Sequence, residues 1–236
     1  MAVHSKKKTI DENIQQVVGY TGYLLFARPD RVAMLGLYIS TTEYAIILMD
    51  PTGTYRTEPL VIDNNISLLR RALHYINKPP QSMIDPTIIR EAGNTFEITI
   101  EGKPYKGCKQ RWAPTLRRRT TVFTTGDETV RVIKEQYLRP SGTSQVTEGE
   151  ILRKIHSRGQ IPGVVRVGWS GLVKREDGSC VKCGNGGRQK VRLELKDEGD
   201  LFMTIKTPYD ALVVIWDVLE GATFTSISNF TTDIQS

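Results

Sequence analysis

The chain has 236 residues, of which 39% are hydrophobic and 25% charged, a balance typical of a globular protein and not of a wholly disordered, collagen-like or coiled-coil chain. It contains no apolar run of about 18 residues, so no membrane-spanning helix and no membrane partner are expected. The first residues lack the apolar core of a signal peptide, and there are only 3 cysteines. We therefore expect an intracellular protein, cytoplasmic or nuclear, that is not secreted.

Apolar spacing predicts an alternation of helices and strands. In the first half it predicts a helix over 11–28, strands over 31–40 and 43–49, a helix over 64–77 capped by Asn64, and a strand over 94–100. In the second half it predicts a hairpin of strands 120–123 and 129–136, a helix starting at the capping box Thr147-x-x-Glu150, strands 164–173 and 190–195 around a mobile glycine-rich loop, and a helix starting at Thr207. This order, with mainly antiparallel connections, indicates the α+β class.

One lysine and one glutamate stand in a pattern that can hold nucleotide phosphates. Lys134 follows Val132 and Ile133 in a predicted strand, and Glu148 opens the next helix. In kinases a strand lysine contacts the α- and β-phosphates, and a glutamate of the following helix fixes that lysine. The same residues also fit a simpler interpretation, in which Lys134 points outward from its strand and Glu148 interacts favourably with the dipole at the helix N-terminus. If Thr147 is the cap, Glu148 lies in the first turn, so the pair is expected to form if the helix begins earlier, near Pro140.

Several motifs over some two hundred residues resemble the fungal-type protein kinase domain family. They are Arg31-Val-Ala-Met-Leu-Gly with Asp50-Pro-Thr-Gly, Arg118-Arg-Thr-Thr-Val-Phe leading to Lys134, Glu148-Gly-Glu-Ile-Leu, Leu193-Glu-Leu-Lys-Asp-Glu-Gly, and Lys206-Thr-Pro-Tyr-Asp with Asp217-Val-Leu-Glu-Gly. The resemblance implies an upstream module of helices and strands over 14–112. It then implies a protein-kinase-like small lobe, an antiparallel sheet plus one helix, with one large-lobe-type helix over 113–221. The polar first residues predict a mobile tail over 1–13, and the lack of a period after Gly221 predicts a tail over 222–236.

The resemblance implies ATP with Mg²⁺ as the cofactor, held by Lys134 and Glu148, but catalytic motifs are missing. The chain contains no His-Arg-Asp, no Asp-Phe-Gly, and no glycine between residues 117 and 125. Thr231-Thr232-Asp233-Ile234 stands near the place of the catalytic loop, and Asp233 is either a coincidence or the remnant of a diverged end. We therefore expect a truncated, pseudokinase-like chain that is inactive alone, because it lacks the base and the metal ligands.

Two alternative functions follow from the same residues. A small lobe without its large lobe exposes apolar surface, which predicts a non-catalytic interaction module with a protein partner there. A basic segment over 103–119 contains no acid and predicts nucleic-acid binding as a further alternative, although no nucleic-acid signature accompanies it and we do not expect such a partner. Its cations are Lys103, Lys106, Lys109, Arg111, Arg117, Arg118 and Arg119. Cys180-x-x-Cys183 lacks the further ligands that a zinc site needs, so no metal is predicted.

Overall fold

The computed structural model describes residues 9–111, 119–140, 147–161, 163–184, 187–199, 207–209 and 212. Within these ranges the chain forms two antiparallel sheets and three α-helices, which confirms the predicted α+β class. None of the helices in these ranges combines the length and the apolar character that a membrane crossing requires.

The first six helices and strands are a helix, four strands and a second helix, and most of the later elements are strands. In chain order they are α1 (Ile10–Ala27), β1 (Met34–Ile39), β2 (Glu43–Asp50), β3 (Gly53–Arg56), β4 (Leu60–Val61), α2 (Ile62–Asn77), β5 (Ile88–Arg90), β6 (Thr95–Ile100), β7 (Lys103–Arg111), β8 (Thr121–Thr124), β9 (Val132–Leu138), α3 (Glu148–Ile155), β10 (Val167–Leu172), β11 (Lys182–Cys183) and β12 (Arg188–Leu195). Most of these elements overlap the predicted ones. α1 begins inside the segment 1–13 that its polar composition predicts to be a tail.

Two local predictions are wrong. Asn64 does not cap α2, because the helix begins at Ile62 with Val61 as its N-cap, and Asn65 forms a non-helical kink at φ −133° within it. The glycine-rich loop is folded against the large sheet where it is described, because it contains β11, which pairs with β12 and buries Val181 and Cys183. Alternating apolar side chains anchor this segment, which its glycines alone do not indicate.

The smaller sheet has the order β1-β2-β3, with β4 also paired to β2, and a helix packs on each face. Gly36 of β1 faces α1, where a Cβ atom would overlap Thr21 Oγ1. On the other face the Tyr44 hydroxyl of β2 donates a hydrogen bond of 2.8 Å to the Asn65 carbonyl of α2. The two helices therefore bury both faces of a sheet whose central strand is almost entirely apolar.

The larger sheet has eight strands in the order β10-β12-β9-β8-β7-β6-β5, with β11 beside β12. It is strongly curled, because residues on distant strands meet across its concave face. Arg192 of β12 donates to the carbonyl of Thr99 on β6 at 2.7 Å, and the Tyr105 hydroxyl of β7 donates to Glu194 of β12 at 2.8 Å. An aromatic and aliphatic cluster fills this face, including Phe96, Ile98, Phe123 and Ile133.

The sheet runs through the predicted boundary between residues 112 and 113. β7 lies before that boundary and β8 after it, and the two strands are paired neighbours. The connection 112–118 lies outside the described residues, as do the predicted tail 222–236 and most of the predicted helix over 207–221.

Arg119 joins the two sheets. Its guanidinium is buried and donates to the carbonyl oxygens of Leu25 at 2.6 Å and Arg28 at 2.8 Å, and also to that of Arg31. A cation at the C-terminal end of α1 satisfies carbonyl groups that the helix leaves unpaired and complements the helix dipole. One side chain from the segment directly before β8 of the large sheet therefore fixes the end of α1.

Candidate functional site

Lys134 lies on β9, in the interior of the large sheet. Its direct neighbours are Val122 on β8 and Leu193 on β12. This convex face also carries the apolar cluster that Leu152 of α3 covers. The aliphatic stem of Lys134 therefore lies among apolar side chains, and 26% of the side chain remains exposed.

Glu148 is the first residue of α3, and it reaches Lys134. The Lys134 Nζ atom donates to Glu148 Oε1 at 2.7 Å and to Oε2 at 2.8 Å. Thr147 is the N-cap, and its capping box with Glu150 is complete. The expectation that the pair needs a helix starting near Pro140 is therefore wrong, because a glutamate in the first turn already meets the lysine when the helix start lies directly over the sheet.

Gly149 allows α3 to approach the sheet this closely. It is buried in the first turn of α3, and a Cβ atom there would overlap both Cβ and Oγ of Ser170 on β10. Any other residue would push the first turn, and Glu148 with it, away from the sheet. Sequence reasoning missed this role, although a glycine inside a capping box is a usable signal, because glycine lowers helix stability and needs a packing reason.

The arrangement can hold an anion beside a fixed ammonium group. A lysine carries three N–H donors, and the two oxygens of Glu148 take two of them. The bidentate pair orients the Nζ atom while leaving one donor for an oxygen of a ligand. The residues present fit the lysine half of a phosphate site, and Glu148 supplies the orientation.

The other predicted features of a nucleotide site lie mostly outside the described residues. Asp233 is among them. Within the described ranges no group of three or more His, Cys, Asp or Glu side chains could hold a metal ion. Protein ligands for Mg²⁺ are therefore not identified in this part of the chain.

The opposite, concave face of the sheet holds a buried ionic network that sequence reasoning missed. Lys190 Nζ lies 2.6 Å from Asp85 Oδ2 and 2.8 Å from Glu135 Oε2. Arg192 Nε donates to Glu135 Oε1 at 2.7 Å, and Arg192 Nη2 donates to Thr87 Oγ1 at 2.9 Å. Two cations face two carboxylates, so the network is neutral, and all four charged side chains are buried.

The network shifts the pKa values of its members. Burial by itself raises the pKa of Asp85, but the charges of Lys190 and Arg192 outweigh burial and lower that pKa to about 2. Burial opposes the charge of Lys190, and the carboxylates of Asp85 and Glu135 nevertheless raise its pKa. Burial also raises the pKa of the neighbouring Tyr137 to about 12. The ionised form of the Asp85–Lys190 pair is therefore the stable one across the neutral range.

A cleft of about 280 Å³ lies at the other end of α3, away from Lys134. Leu152 and Val167 line it, together with His156 and Arg166. The His156 Nδ1 atom accepts a hydrogen bond of 3.3 Å from the Ile161 amide, so its Nε2 atom carries the proton and lies 3.2 Å from the Val165 carbonyl. Both ring nitrogens are thus engaged in holding the connection between α3 and β10.

The basic segment over 103–119 does not form one free cationic surface. Three of its cations pair with carboxylates from other strands and loops, namely Lys103 with Asp127 at 3.2 Å, Lys106 with Glu97 at 3.7 Å, and Arg111 with Glu198. Arg119 is buried against backbone carbonyls. Residues 112–118 lie outside the described part. Arg119 is therefore not available to phosphates, whereas the other three cations have partly exposed side chains and already have carboxylate partners.

Cys108 and Cys183 are buried and lie in environments that disfavour the reactive thiolate. Burial raises the pKa of Cys108 to about 11 and that of Cys183 to about 12. A thiol with so high a pKa is a poor nucleophile and a poor metal ligand, because both roles need the thiolate.

Comparisons of the chain with protein-family models, with curated proteins and with solved structures gave no match.

Proposed function

We propose that this chain is a kinase-like module that binds the phosphates of an adenine nucleotide at Lys134 and does not transfer phosphate by itself. The observation that carries the proposal is the ion pair between Lys134 and both carboxylate oxygens of Glu148. In protein kinases the phosphate-binding lysine lies on the third strand of the small lobe and pairs with a glutamate of the next helix.

The order of the neighbouring elements supports the proposal. Counted from β7, Lys134 lies on the third strand, α3 follows that strand, and β10 and β12 complete five adjacent antiparallel strands. A five-stranded sheet with one helix is what the resemblance to fungal-type protein kinases implies for residues 117–199. β5, β6 and β11 are additions to that plan, and β7 comes from the upstream segment.

Binding without transfer follows from what the sequence lacks. The chain has neither a His-Arg-Asp nor an Asp-Phe-Gly motif. Phosphoryl transfer depends on positioning and on electrostatic stabilisation by a base, metal ligands and Mg²⁺. Lys134 can hold and orient a phosphate oxygen, and Glu148 keeps its ammonium in place. Mg²⁺ enters this proposal only with the nucleotide, because Mg²⁺ is commonly bound through substrate phosphates.

The proposal is tested by thermal unfolding of the purified chain with ATP, with and without Mg²⁺. A ligand at a hundredfold excess over its Kd stabilises the native state by about 2.7 kcal/mol, which corresponds to a rise in Tm of about 5 to 10 °C for a chain of this size. We expect this rise for the wild type and for Lys103→Met, which removes a lysine of a more exposed ion pair on a neighbouring part of the sheet. We expect no rise for Lys134→Met.

An ATP-induced rise of equal size in wild type and Lys134→Met would place the nucleotide elsewhere and overturn the assignment. An unchanged Tm of the wild type at millimolar ATP would remove nucleotide binding altogether. The non-catalytic interaction module would then be the better description of the chain.

A further inference from the structure

β1 is an edge of the smaller sheet, because among the described residues it pairs with β2 alone. Its residues Met34–Ile39 contain no charge and no proline, and all of them pair with β2 in one unbroken register. Natural proteins usually protect an edge strand with charges, prolines, bulges or a covering segment, because unpaired backbone groups accept a further strand. β1 carries no such charge, proline or bulge.

The hydrogen-bond pattern shows which residues face outward. The Ser40 amide donates to the Glu43 carbonyl at 2.8 Å, which marks this pair as a hydrogen-bonded one. Along an antiparallel ladder, hydrogen-bonded pairs alternate with pairs whose backbone groups point away from the partner strand. The N–H and C=O groups of Leu35, Leu37 and Ile39 therefore point away from β2. These groups form a regular set of donors and acceptors for another antiparallel strand.

α1 adds an apolar flank above this edge. Thr21 faces β1 at Gly36, and Leu25 is buried on one side of Thr21. Successive residues of a helix are 100° apart, so Tyr20 and Leu24 lie on the opposite side of Thr21 from Leu25. Tyr20 is 58% and Leu24 is 55% exposed. This side of α1 therefore overhangs the outer edge of β1 and is apolar as well.

We propose that the outer edge of β1 pairs with β1 of a second copy of this chain, antiparallel and about a two-fold axis at Leu37. Leu35 of each copy then faces Ile39 of the other. A two-fold pairing sets identical residues against each other, which an uncharged strand tolerates and a charged one does not. The same axis keeps both α1 helices on one face of the continuous sheet, so that Tyr20 and Leu24 of the two copies meet.

The test is sedimentation equilibrium of the wild type and of two lysine variants. Ile39→Lys places a charge inside the proposed pairing at a side chain that is already 54% exposed, so the monomer fold tolerates it. Ile89→Lys is the matched control, because Ile89 is 56% exposed and lies on β5, an edge of the other sheet. We expect the wild type and Ile89→Lys to dimerise, and Ile39→Lys to raise the dimer Kd by about tenfold or more.

Amide hydrogen exchange supplies the second readout. On raising the wild-type concentration, exchange of the Leu35, Leu37 and Ile39 amides should slow, while amides of β5 remain unchanged. A wild type that stays monomeric up to about 100 µM overturns the proposal. So does a dimer that Ile39→Lys leaves intact, or one that both variants weaken equally.

Discussion

Gly149 is the residue on which the Lys134–Glu148 geometry depends most directly. Gly149→Ala adds a Cβ atom that cannot coexist with Ser170 in the observed packing, so the first turn of α3 must move away from β10. We expect a loss of about 1–3 kcal/mol in the free energy of unfolding, as is usual for overpacking. We also expect weaker ATP binding, because Glu148 moves with the turn. Urea unfolding and titration with ATP measure the two effects.

The matched control is the double variant Gly149→Ala/Ser170→Gly, which removes the Cβ and Oγ atoms that the new methyl group would meet. It should recover most of the ATP affinity that Gly149→Ala loses, although the flexible glycine on β10 still weakens the strand. If affinity stays low in the double variant, the close approach of α3 to β10 is not what positions Glu148.

Arg119 is a second residue whose role is local and measurable. Arg119→Lys keeps the charge but loses the planar set of donors that reaches several carbonyls of the α1 end at once. We expect a loss of about 1–3 kcal/mol, the cost of leaving buried carbonyls unpaired. Arg111→Lys changes an exposed ion pair and should cost less than about 1 kcal/mol. Equal losses in the two variants would contradict a capping role for Arg119.

At this scale the sequence predicts some contacts and misses others for identifiable reasons. The capping box predicts the start of α3 correctly, because Thr147 and Glu150 act within one turn. In the sequence alone, Arg119 is only one member of a basic run. Its structural role is hidden there, because its acceptors are backbone carbonyls some 90 residues earlier in the chain. A carbonyl carries no sequence signature, so such a contact becomes visible only in the fold.

Among the elements, β12 differs most from its sequence pattern. Lys190, Arg192 and Glu194 alternate with apolar residues, which is typical of a strand with one face in water. The structure buries Lys190 and Arg192 beneath the curl of the sheet and compensates them with carboxylates from β9 and from the segment before β5. Alternation identifies the strand and its two faces, but it cannot show that both faces are covered.

The neutrality of the network leads to a prediction for this element. Lys190→Met leaves two buried carboxylates with one cation, so we expect a loss of about 3–5 kcal/mol in the free energy of unfolding. Asp85→Asn alone leaves an excess cation and should be similarly costly. The double variant Lys190→Met/Asp85→Asn restores the balance.

Urea unfolding of the four proteins forms a double-mutant cycle. The cost of the double variant should fall clearly below the sum of the single costs. Additive costs would mean that the two side chains act independently and that their 2.6 Å pair contributes no coupling.

For the whole molecule, the buried network makes the free energy of unfolding depend on pH in the acidic range. Burial raises the pKa of Asp85, but the charges of Lys190 and Arg192 outweigh burial and lower this pKa from 3.8 to about 2 in the folded state. A lowered carboxylate pKa contributes stability above about pH 4, and this contribution disappears as the pH falls towards 2. The change in pKa corresponds to about 2 kcal/mol. Free energies of unfolding measured at pH 5, 4, 3 and 2 should show this loss.

The double variant Lys190→Met/Asp85→Asn is the reference for this titration, because it retains every other acid that titrates in the same range. Its free energy of unfolding should fall less between pH 5 and pH 2 than that of the wild type. Parallel pH profiles would show that Asp85 does not carry the acid dependence.

The α+β class was predictable from the order of periodic segments, but the joining of both halves in one sheet was not. Pairing of β7 with β8 depends on contacts across residues 112–118, and apolar periodicity describes single strands rather than their neighbours. Lys134 and Glu148 were predictable as partners because they stand in a known chemical pattern. The ionic network was not predictable, because its residues follow no such pattern.

The charged residues of the buried network are synthesised in the order of the chain, so Asp85 and Glu135 are made before Lys190 and Arg192. At about 5–20 residues per second, the 55 residues from Glu135 to Lys190 take about 3 to 11 s to translate. During this interval β12, which lies between β9 and β10, does not yet exist. A nascent chain that pauses there presents uncompensated acids beside an apolar surface that stays open until β12 has been synthesised.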